Sequence, residues 1–254
     1  MKYYLFRLSL FLSIVYSCSD GNNSTGTPST TNKSDDRTAI LQDKQISTKG
    51  QVGEAISKSD FIRHNHFLQK ADSVLALIHR ESEWLSFSNI NAAFTACINN
   101  DSIFIRSGEH RLKSSLELWE KNNIVVTGEG HCKVIAENTD DNVMWIITCH
   151  NITIRNLHAT HTKPSEDERC YGNVFALDMG RDITIENCDI NGCGAIGVYI
   201  FGTRHVVLKD NFIHDNTLWA IDDDGHRMNS EEESDNILFE GNRYANNGYL
   251  NENY

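Results

Sequence analysis

Apolar and polar residues alternate with a period of two in six short segments between residues 102 and 244. The segments begin 21 to 31 residues apart, and each has two apolar positions flanked by polar ones. They are SIFIRSGEH (102–110), NIVVTGEGH (123–131), NITIRNLHA (151–159), DITIENCDI (182–190), HVVLKDNFI (205–213) and NILFEGNRY (236–244). One β-strand per repeat of about 20 to 30 residues predicts a solenoid of stacked coils.

Alignment of the six copies predicts which side chains face the interior. The inward pairs are Ile103/Ile105, Ile124/Val126, Ile152/Ile154, Ile183/Ile185, Val206/Leu208 and Ile237/Phe239. One outward column then reads Arg106, Thr127, Arg155, Glu186, Lys209 and Glu240. Coils stacked ~4.8 Å apart would place each of the last four charges beside its opposite. Asn156, Asn187, Asp210 and Gly241 follow this column and suit a tight turn.

A second strand segment precedes each copy from the third onward: NVMWII (142–147), NVFALD (173–178), GVYIFG (197–202) and AIDDDG (220–225). Short strands separated by turns in every coil resemble the right-handed parallel β-helix of the pectin-lyase-like superfamily, over about residues 102–247. The resemblance implies an all-β, right-handed parallel β-helix solenoid of about six short coils. It does not choose an activity, because many chemistries share this fold.

The ends of the solenoid need caps. Residues 89–99 (NINAAFTACIN) predict a short amphipathic helix, and in the superfamily such a helix plugs the first coil. Residues 60–85 have apolar side chains at helical spacing and predict a second helix. The predicted domains are therefore a helical N-terminal cap (52–100) and the parallel β-helix (101–254). The last coil has little chain after it to cover it.

The N-terminus predicts export. Lys2 and Arg7 precede an apolar run too short to span a bilayer, so residues 1–17 resemble a secretory signal. The run ends in Val15-Tyr16-Ser17-Cys18, similar to a bacterial lipobox, which implies lipidation of Cys18; an ordinary signal that leaves Cys18 free is the alternative. Residues 18–51 are polar and predict a flexible linker. The expected location is the cell envelope, as an outer-membrane or cell-surface lipoprotein anchored through its N-terminal lipid.

The charge restricts the partners. Loss of Lys2 and Arg7 with the signal changes the formal charge from −12 to −14. An acidic protein gains nothing from counterion release, which argues against nucleic acid. An acidic polysaccharide would need a basic cleft or a bridging divalent cation. Six cysteines follow Cys18, with no CxxC pair; disulfides are permitted in fifteen pairings that the sequence does not distinguish, and Cys188 is predicted to face inward.

Acidic residues gather at one strand end. Asp222, Asp223 and Asp224 align with Tyr199, Ile200 and Phe201 of the preceding coil, and Asp178 lies at the matching strand end of the coil before that. Three successive acids cannot all face one side, so at least one is expected to turn inward or into the next turn. Asp178, Asp222 and Asp224 are candidate Ca²⁺ ligands. Asp222, Asp223 and Asp224 are also candidate acid/base groups.

Basic and aromatic residues surround these acids. His150, Arg181 and Arg204 precede successive copies in one column, and His226 and Arg227 follow the acids. Arg204 is a candidate catalytic residue by resemblance to the lyases of the superfamily, where arginine or lysine abstracts a proton. His226, next to the acids, is a second candidate catalytic residue. Arg181, Arg227, Tyr199 and Trp219 are candidate substrate-binding residues, with Trp219 equally suited to the core. Neither the Arg-x-Pro-x-x-Arg motif of pectate lyases nor the combined motifs of polygalacturonases occur.

Simpler interpretations remain. The acids and arginines also fit an acid-rich turn with paired charges, followed by a solvated loop (227–236) that walls a groove or is a tolerated insertion. His158 and His161 lie in a predicted turn without a third metal ligand.

Two functions follow. The first is an exported protein that binds polysaccharide along one solenoid face, with cleavage or epimerisation as the reaction if it is catalytic. The second is a non-catalytic scaffold or adhesin that binds a protein partner through its last coil, near Tyr244–Tyr254.

Overall fold

The computed structural model of the chain describes residues 74–162, 171–192 and 195–248. The predicted signal, the lipidated Cys18, the linker and most of the predicted helix over 60–85 lie outside these ranges, as do Cys170, Cys193 and the last six residues. No helix within the described ranges has the length and apolar character needed to cross a membrane.

Three sheets form the faces of the solenoid. Sheet A contains, in spatial order, β2 (Glu83–Phe87), β1 (Ala76–Arg80), β3 (Ser102–Ile105), β6 (Asn122–Gly128), β9 (His150–Arg155), β12 (Arg181–Glu186), β15 (Arg204–Lys209) and β19 (Ile237–Glu240). Sheet B contains β4 (Gly108–Leu112), β7 (Cys132–Ala136), β10 (His158–His161), β13 (Asp189–Asn191), β16 (Phe212–His214) and β20 (Arg243–Ala245). Sheet C contains β5 (Leu116–Trp119), β8 (Met144–Ile147), β11 (Phe175–Asp178), β14 (Ile196–Phe201), β17 (Trp219–Asp223) and β18 (His226–Met228).

The predicted register is confirmed from the second copy to the last. Ile124, Ile152, Ile183, Val206 and Ile237 pair in series along sheet A, and all five are at most 5% exposed. Burial of one such side chain contributes about 1.5–3 kcal/mol. The stacked apolar columns of the three sheets therefore make one continuous core.

The first copy is shifted by two residues from the predicted alignment. Ile103 pairs with Val126 rather than with Ile124. Arg106 consequently lies beside Glu129, with Nε 2.9 Å from Oε2, and not beside Thr127. A shift of two preserves the inward and outward alternation of a strand, so the hydrophobic pattern could not exclude it.

The N-terminal cap is only partly helical. The predicted plug is present as α1 (Ile90–Ala96), which buries Ile90, Ala93 and Phe94 and is capped by the Asn89 side chain at the Ala92 amide. The helix predicted over 60–85 is wrong for its described part, because β1 and β2 form an antiparallel hairpin there. β1 also pairs with β3, and this pairing satisfies the sheet edge that a helix would leave open.

Candidate functional site

The register predicted for the acidic residues is confirmed, since Tyr199 pairs with Asp222, Ile200 with Asp223 and Asp178 with Phe201. Asp222 lies on the outward side of β17 but is only 4% exposed, and its pairing partner on the neighbouring strand β18 is Arg227. Its Oδ1 accepts from the Gly225 amide at 2.7 Å, and its Oδ2 accepts from Arg227 Nε at 3.1 Å. Asp222 therefore holds the β17–β18 hairpin together.

The other two acids point elsewhere. Asp223 follows the inward column and accepts from Asn236 Nδ2 at 2.9 Å and from Ser234 Oγ at 3.2 Å. Asp224 enters the turn with a φ of 49° and accepts from the Gly202 amide at 2.8 Å. The expectation that an acid would turn inward or into the turn is met by both residues.

The predicted Ca²⁺ ligands are not preassembled. Asp222 and Asp224 bond to different turns, and Asp178 accepts a hydrogen bond from the Trp145 indole. In the described part of the chain, no group of three or more His, Cys, Asp or Glu side chains is placed to hold a metal ion. Ca²⁺ binding by these acids stays a prediction, and it requires the side chains to leave their present bonds.

Of the basic residues predicted to surround the acids, Arg227 contacts Asp222, as the paired-charge interpretation predicts, and the others lie elsewhere. His150, Arg181 and Arg204 do share one column. The carboxylate beside Arg181 is however Asp182, with Oδ2 3.1 Å from Nε, and not Asp178 or one of the three successive acids. Arg204 is exposed at the same corner. His226 is exposed on the hairpin, with Nε2 3.3 Å from Glu232 Oε2.

Four aromatic side chains within the described ranges lie on the outward surface of sheet C, in two neighbouring columns. One column runs Trp119, Ile147, Asp178, Phe201, and the neighbouring column runs Glu117, Trp145, Ala176, Tyr199, Asp222. We call Trp119, Trp145, Asp178, Tyr199 and Phe201 the aromatic face. Trp119 is 58% exposed and Phe201 is 46% exposed. The rings of Tyr199 and Phe201 are nearly parallel, at 4°, with centroids 6.5 Å apart.

Asp178 lies in the middle of this aromatic face, between Ile147 and Phe201. Burial raises the pKa of its carboxyl, and the hydrogen bond from Trp145 offsets only part of that effect. A carboxyl whose pKa is raised by burial and that lies beside exposed aromatic rings is a candidate general acid.

The sequence interpretation missed Trp119 and Trp145. Trp145 lies in NVMWII. Alignment of NVMWII with NVFALD and GVYIFG places Trp145 in the same column as Tyr199, so the sequence alignment could have identified it. Trp119 belongs to an earlier coil, where no second strand segment had been identified. Trp219, in contrast, pairs with Ile196 and packs against the core. Of the two roles predicted for Trp219, the core position is the one observed.

The loop 227–236 begins as part of a cap. Met228 in β18 pairs with Ile221 and is fully buried, and this pairing adds β18 to sheet C as its edge strand. A shallow depression of about 390 Å³ is lined by His205–Val207 of β15 and by Ser234–Leu238, which lead into β19. That depression contains none of the predicted site residues.

Comparison with known proteins gives a family match. The family described as "Right handed beta helix region" matches residues 76–251. No curated protein matches the chain. Among solved structures, a candidate glycosyl hydrolase from Parabacteroides merdae is similar at 12% identity and a TM-score of 0.34, over 56% of this chain and 78% of that one. A similarity this distant carries no inference about the site.

Proposed function

This chain belongs to the right-handed β-helix family, and we propose that it binds a polysaccharide along the aromatic face and cleaves it with Asp178 as the general acid. The observation that carries the proposal is the column Trp119, Ile147, Asp178, Phe201, which places a protonation-prone carboxyl between exposed aromatic rings. Monomeric proteins rarely expose several large aromatic side chains on one face without a ligand for them.

The spacing of the face suits a chain of sugars. Strands of sheet C are ~4.8 Å apart, so Trp119 lies about 10 Å from Asp178 along the axis and Phe201 about 5 Å on the other side. A glycan running along the axis would contact aromatic rings on both sides of the acid. Arg181 and Arg204 lie at the corner that follows these strands, where they can pair with acidic substituents of the sugar.

Hydrolysis by this face needs a proton donor and a base. Asp178 donates its proton to the glycosidic oxygen as the carbon–oxygen bond breaks, and a water adds to the anomeric carbon and gives its proton to a carboxylate. Asp224 follows β17 at the position aligned with Phe201, so its Cα is about 10 Å from that of Asp178. Inverting glycosidases separate their carboxyl groups by about 6.5–9.5 Å, which side chains on such a spacing can reach.

Binding and turnover are tested separately. Affinity electrophoresis of wild type, Trp119→Ala and Phe201→Ala against a panel of neutral and acidic polysaccharides should show about tenfold weaker binding in both variants. Asp178→Asn should keep the affinity and lose at least about 100-fold in turnover. Leu238→Ala is the matched control, because Leu238 is 55% exposed on sheet A. Unchanged binding in both aromatic variants would contradict the proposed surface.

A second candidate function, a scaffold that binds a protein through its last coil, is favoured by a different observation. Within the described ranges β19, β20 and the three-residue strand β18 are the edge strands of sheets A, B and C at this end of the solenoid. Such edges accept an added strand. The carbonyls of Asn236 and Glu240 face β15, so the Phe239 N–H faces the free edge of β19. Phe239→Pro would remove this donor and Phe239→Ala would keep it; an isolated partner that binds the proline variant as tightly as the alanine variant would exclude the edge of sheet A.

Export with a lipid on Cys18 completes the proposal. It is supported by the sequence of residues 1–18 alone. Metabolic labelling with an alkyne fatty acid should mark the wild type and not Cys18→Ala, and the variant should leave the membrane fraction. A labelled variant would show that the lipid is elsewhere.

A further inference from the structure

A cluster of polar side chains crosses the outer surface of sheet B, away from the aromatic face. It consists of His158 on β10, Asp189 and Asn191 on β13, and His214 with Asp215 on and after β16. We call these five residues the sheet B cluster. They come from three successive coils, so their contacts connect coils rather than residues within one coil.

His214 lies between two carboxylates. Its Nδ1 is 2.5 Å from Asp215 Oδ2, and its Nε2 is 2.9 Å from Asp189 Oδ1. The imidazole is 16% exposed, whereas the side chains of Asp189 and Asp215 are 42% and 48% exposed. A neutral imidazole has one N–H, so both contacts are hydrogen bonds only when both nitrogens carry hydrogen.

The orientation of Asn191 supports the same protonation state. Its Oδ1 accepts from Thr160 Oγ1 at 2.9 Å, and its Nδ2 is 2.6 Å from Asp189 Oδ1 and 3.0 Å from His158 Nε2. The opposite orientation of the amide would place two acceptors 2.6 Å apart. The two hydrogens on Asn191 Nδ2 are therefore donated to Asp189 and His158. His214 Nε2 lies 3.2 Å from Asn191 Nδ2 but receives no hydrogen from it. His214 Nε2 must therefore carry a hydrogen of its own to bond to Asp189.

The neighbouring charges are consistent with this arrangement. Burial lowers the pKa of His158, which keeps it neutral and able to accept from Asn191. The hydrogen bond from His214 lowers the pKa of Asp215, and Asn246 Nδ2 adds a second bond at 3.1 Å.

The described cations around the cluster are Lys133 and Arg243. Lys133 pairs with His158 and lies three coils away from His214. Arg243 on β20 covers the Phe212 ring at 4.6 Å, and that ring in turn stacks on His214 at 4.0 Å, so it separates the two positive groups.

We propose that His214 is a proton-dependent clamp, which as an imidazolium ties Asp189 in one coil to Asp215 in the next and, through Asn246, to the last coil. As an imidazolium, His214 donates from both ring nitrogens and the clamp is closed, whereas a neutral His214 would direct a lone pair at Asp189. Histidine is the side-chain type that changes charge between about pH 5 and pH 8. The clamp joins three of the described coils, those of β13, β16 and β20.

The clamp is tested by thermal unfolding of the full chain at pH 5.0 and pH 8.0. His214→Gln should lower the Tm by about 4 °C more at pH 5.0 than at pH 8.0, because only the protonated ring makes both bonds. His205→Gln is the matched control: His205 faces one carboxylate, Asp182, at 3.1 Å and is 71% exposed, so its Tm change should differ by less than about 1 °C between the two pH values. An equal loss at both pH values in His214→Gln would overturn the proposal.

A direct measurement covers the case in which His214→Gln fails to fold. Proton–nitrogen NMR of the histidine rings at pH 5.0 should show hydrogen on both nitrogens of His214, and in Asp189→Asn the ring should lose its second hydrogen at a lower pH than in wild type. A His214 ring with one bare nitrogen at pH 5.0, or a titration unaffected by Asp189→Asn, contradicts the clamp.

Discussion

At the scale of single residues, Asp178 departs from the pattern around it. Its neighbours in the column are Ile147 and Phe201, and its carboxyl is half-buried with one hydrogen bond, from Trp145. Because burial raises its pKa, the folded chain favours the protonated form. The stability that this form contributes is complete below the unfolded pKa of about 3.9 and is lost as the pH rises through the folded pKa.

Asp178→Asn should therefore be at least as stable as wild type at pH 7.5 and equally stable at pH 3.5, as measured by urea unfolding at both pH values. The amide oxygen can still accept from Trp145, and the cost of a desolvated charge is removed. Asp178→Ala is the control, which loses the bond and should be destabilised at both pH values. Destabilisation by Asp178→Asn at pH 7.5 would mean that the ionised carboxylate stabilises the fold.

The turn after sheet A depends on asparagine. Asn187 adopts a φ of 50°, and its Nδ2 donates to Asn156 Oδ1 at 2.7 Å. Asn187→Ala should lower the free energy of unfolding by about 1–2 kcal/mol, because alanine loses the bond and is strained in the left-handed region. Asn187→Gly, which relieves the strain, should cost less. Equal losses of unfolding free energy in Asn187→Ala and Asn187→Gly, measured by denaturant unfolding, would show that left-handed backbone strain contributes nothing at this position.

At the scale of elements, a column of alternating charges links the strands of sheet A. Arg155 Nη1 lies 3.7 Å from Glu186 on the next strand, and Lys209 Nζ lies 2.8 Å from Glu240 on the last. Glu240 raises the pKa of Lys209. These pairs confirm the predicted column, and since they are exposed their main effect is to disfavour other registers rather than to add stability.

Lys209→Glu would place three glutamates on successive strands. The Tm should fall, and about 1 M NaCl should restore most of the loss because salt screens exposed charges. The Tm of Lys209→Gln should fall less, because glutamine removes the attraction to the two glutamates without adding repulsion. If both variants lose the same amount, with or without salt, charge repulsion is not the cause.

At the scale of the whole molecule, the solenoid interior also encloses the described cysteines. Cys97, Cys132, Cys149 and Cys188 are all buried free thiols, so the inward position predicted for Cys188 is confirmed and no disulfide links the described residues. Burial raises the pKa of Cys97, Cys132 and Cys188 to about 12.

Because the thiolate is the reactive form, these four cysteines should resist iodoacetamide at pH 7.5 in the folded chain and react fully in 8 M urea. Peptide mass spectrometry reports each cysteine separately, so Cys18, Cys170 and Cys193 do not interfere. Labelling of Cys188 without denaturant, at a rate near that of free cysteine, would show that the coils open readily.

The sequence by itself determined the repeat, the five-copy register of sheet A and the alignment of the acids with Tyr199, Ile200 and Phe201, because these follow from alternation and spacing along the chain. The tertiary structure alone decided three other features. The first copy is shifted by two residues, residues 76–87 form a hairpin at the edge of β3, and β18 pairs with β17 beside Asp222. Each depends on an edge hydrogen bond or on contacts between distant residues, and a period-two pattern is the same before and after such a change.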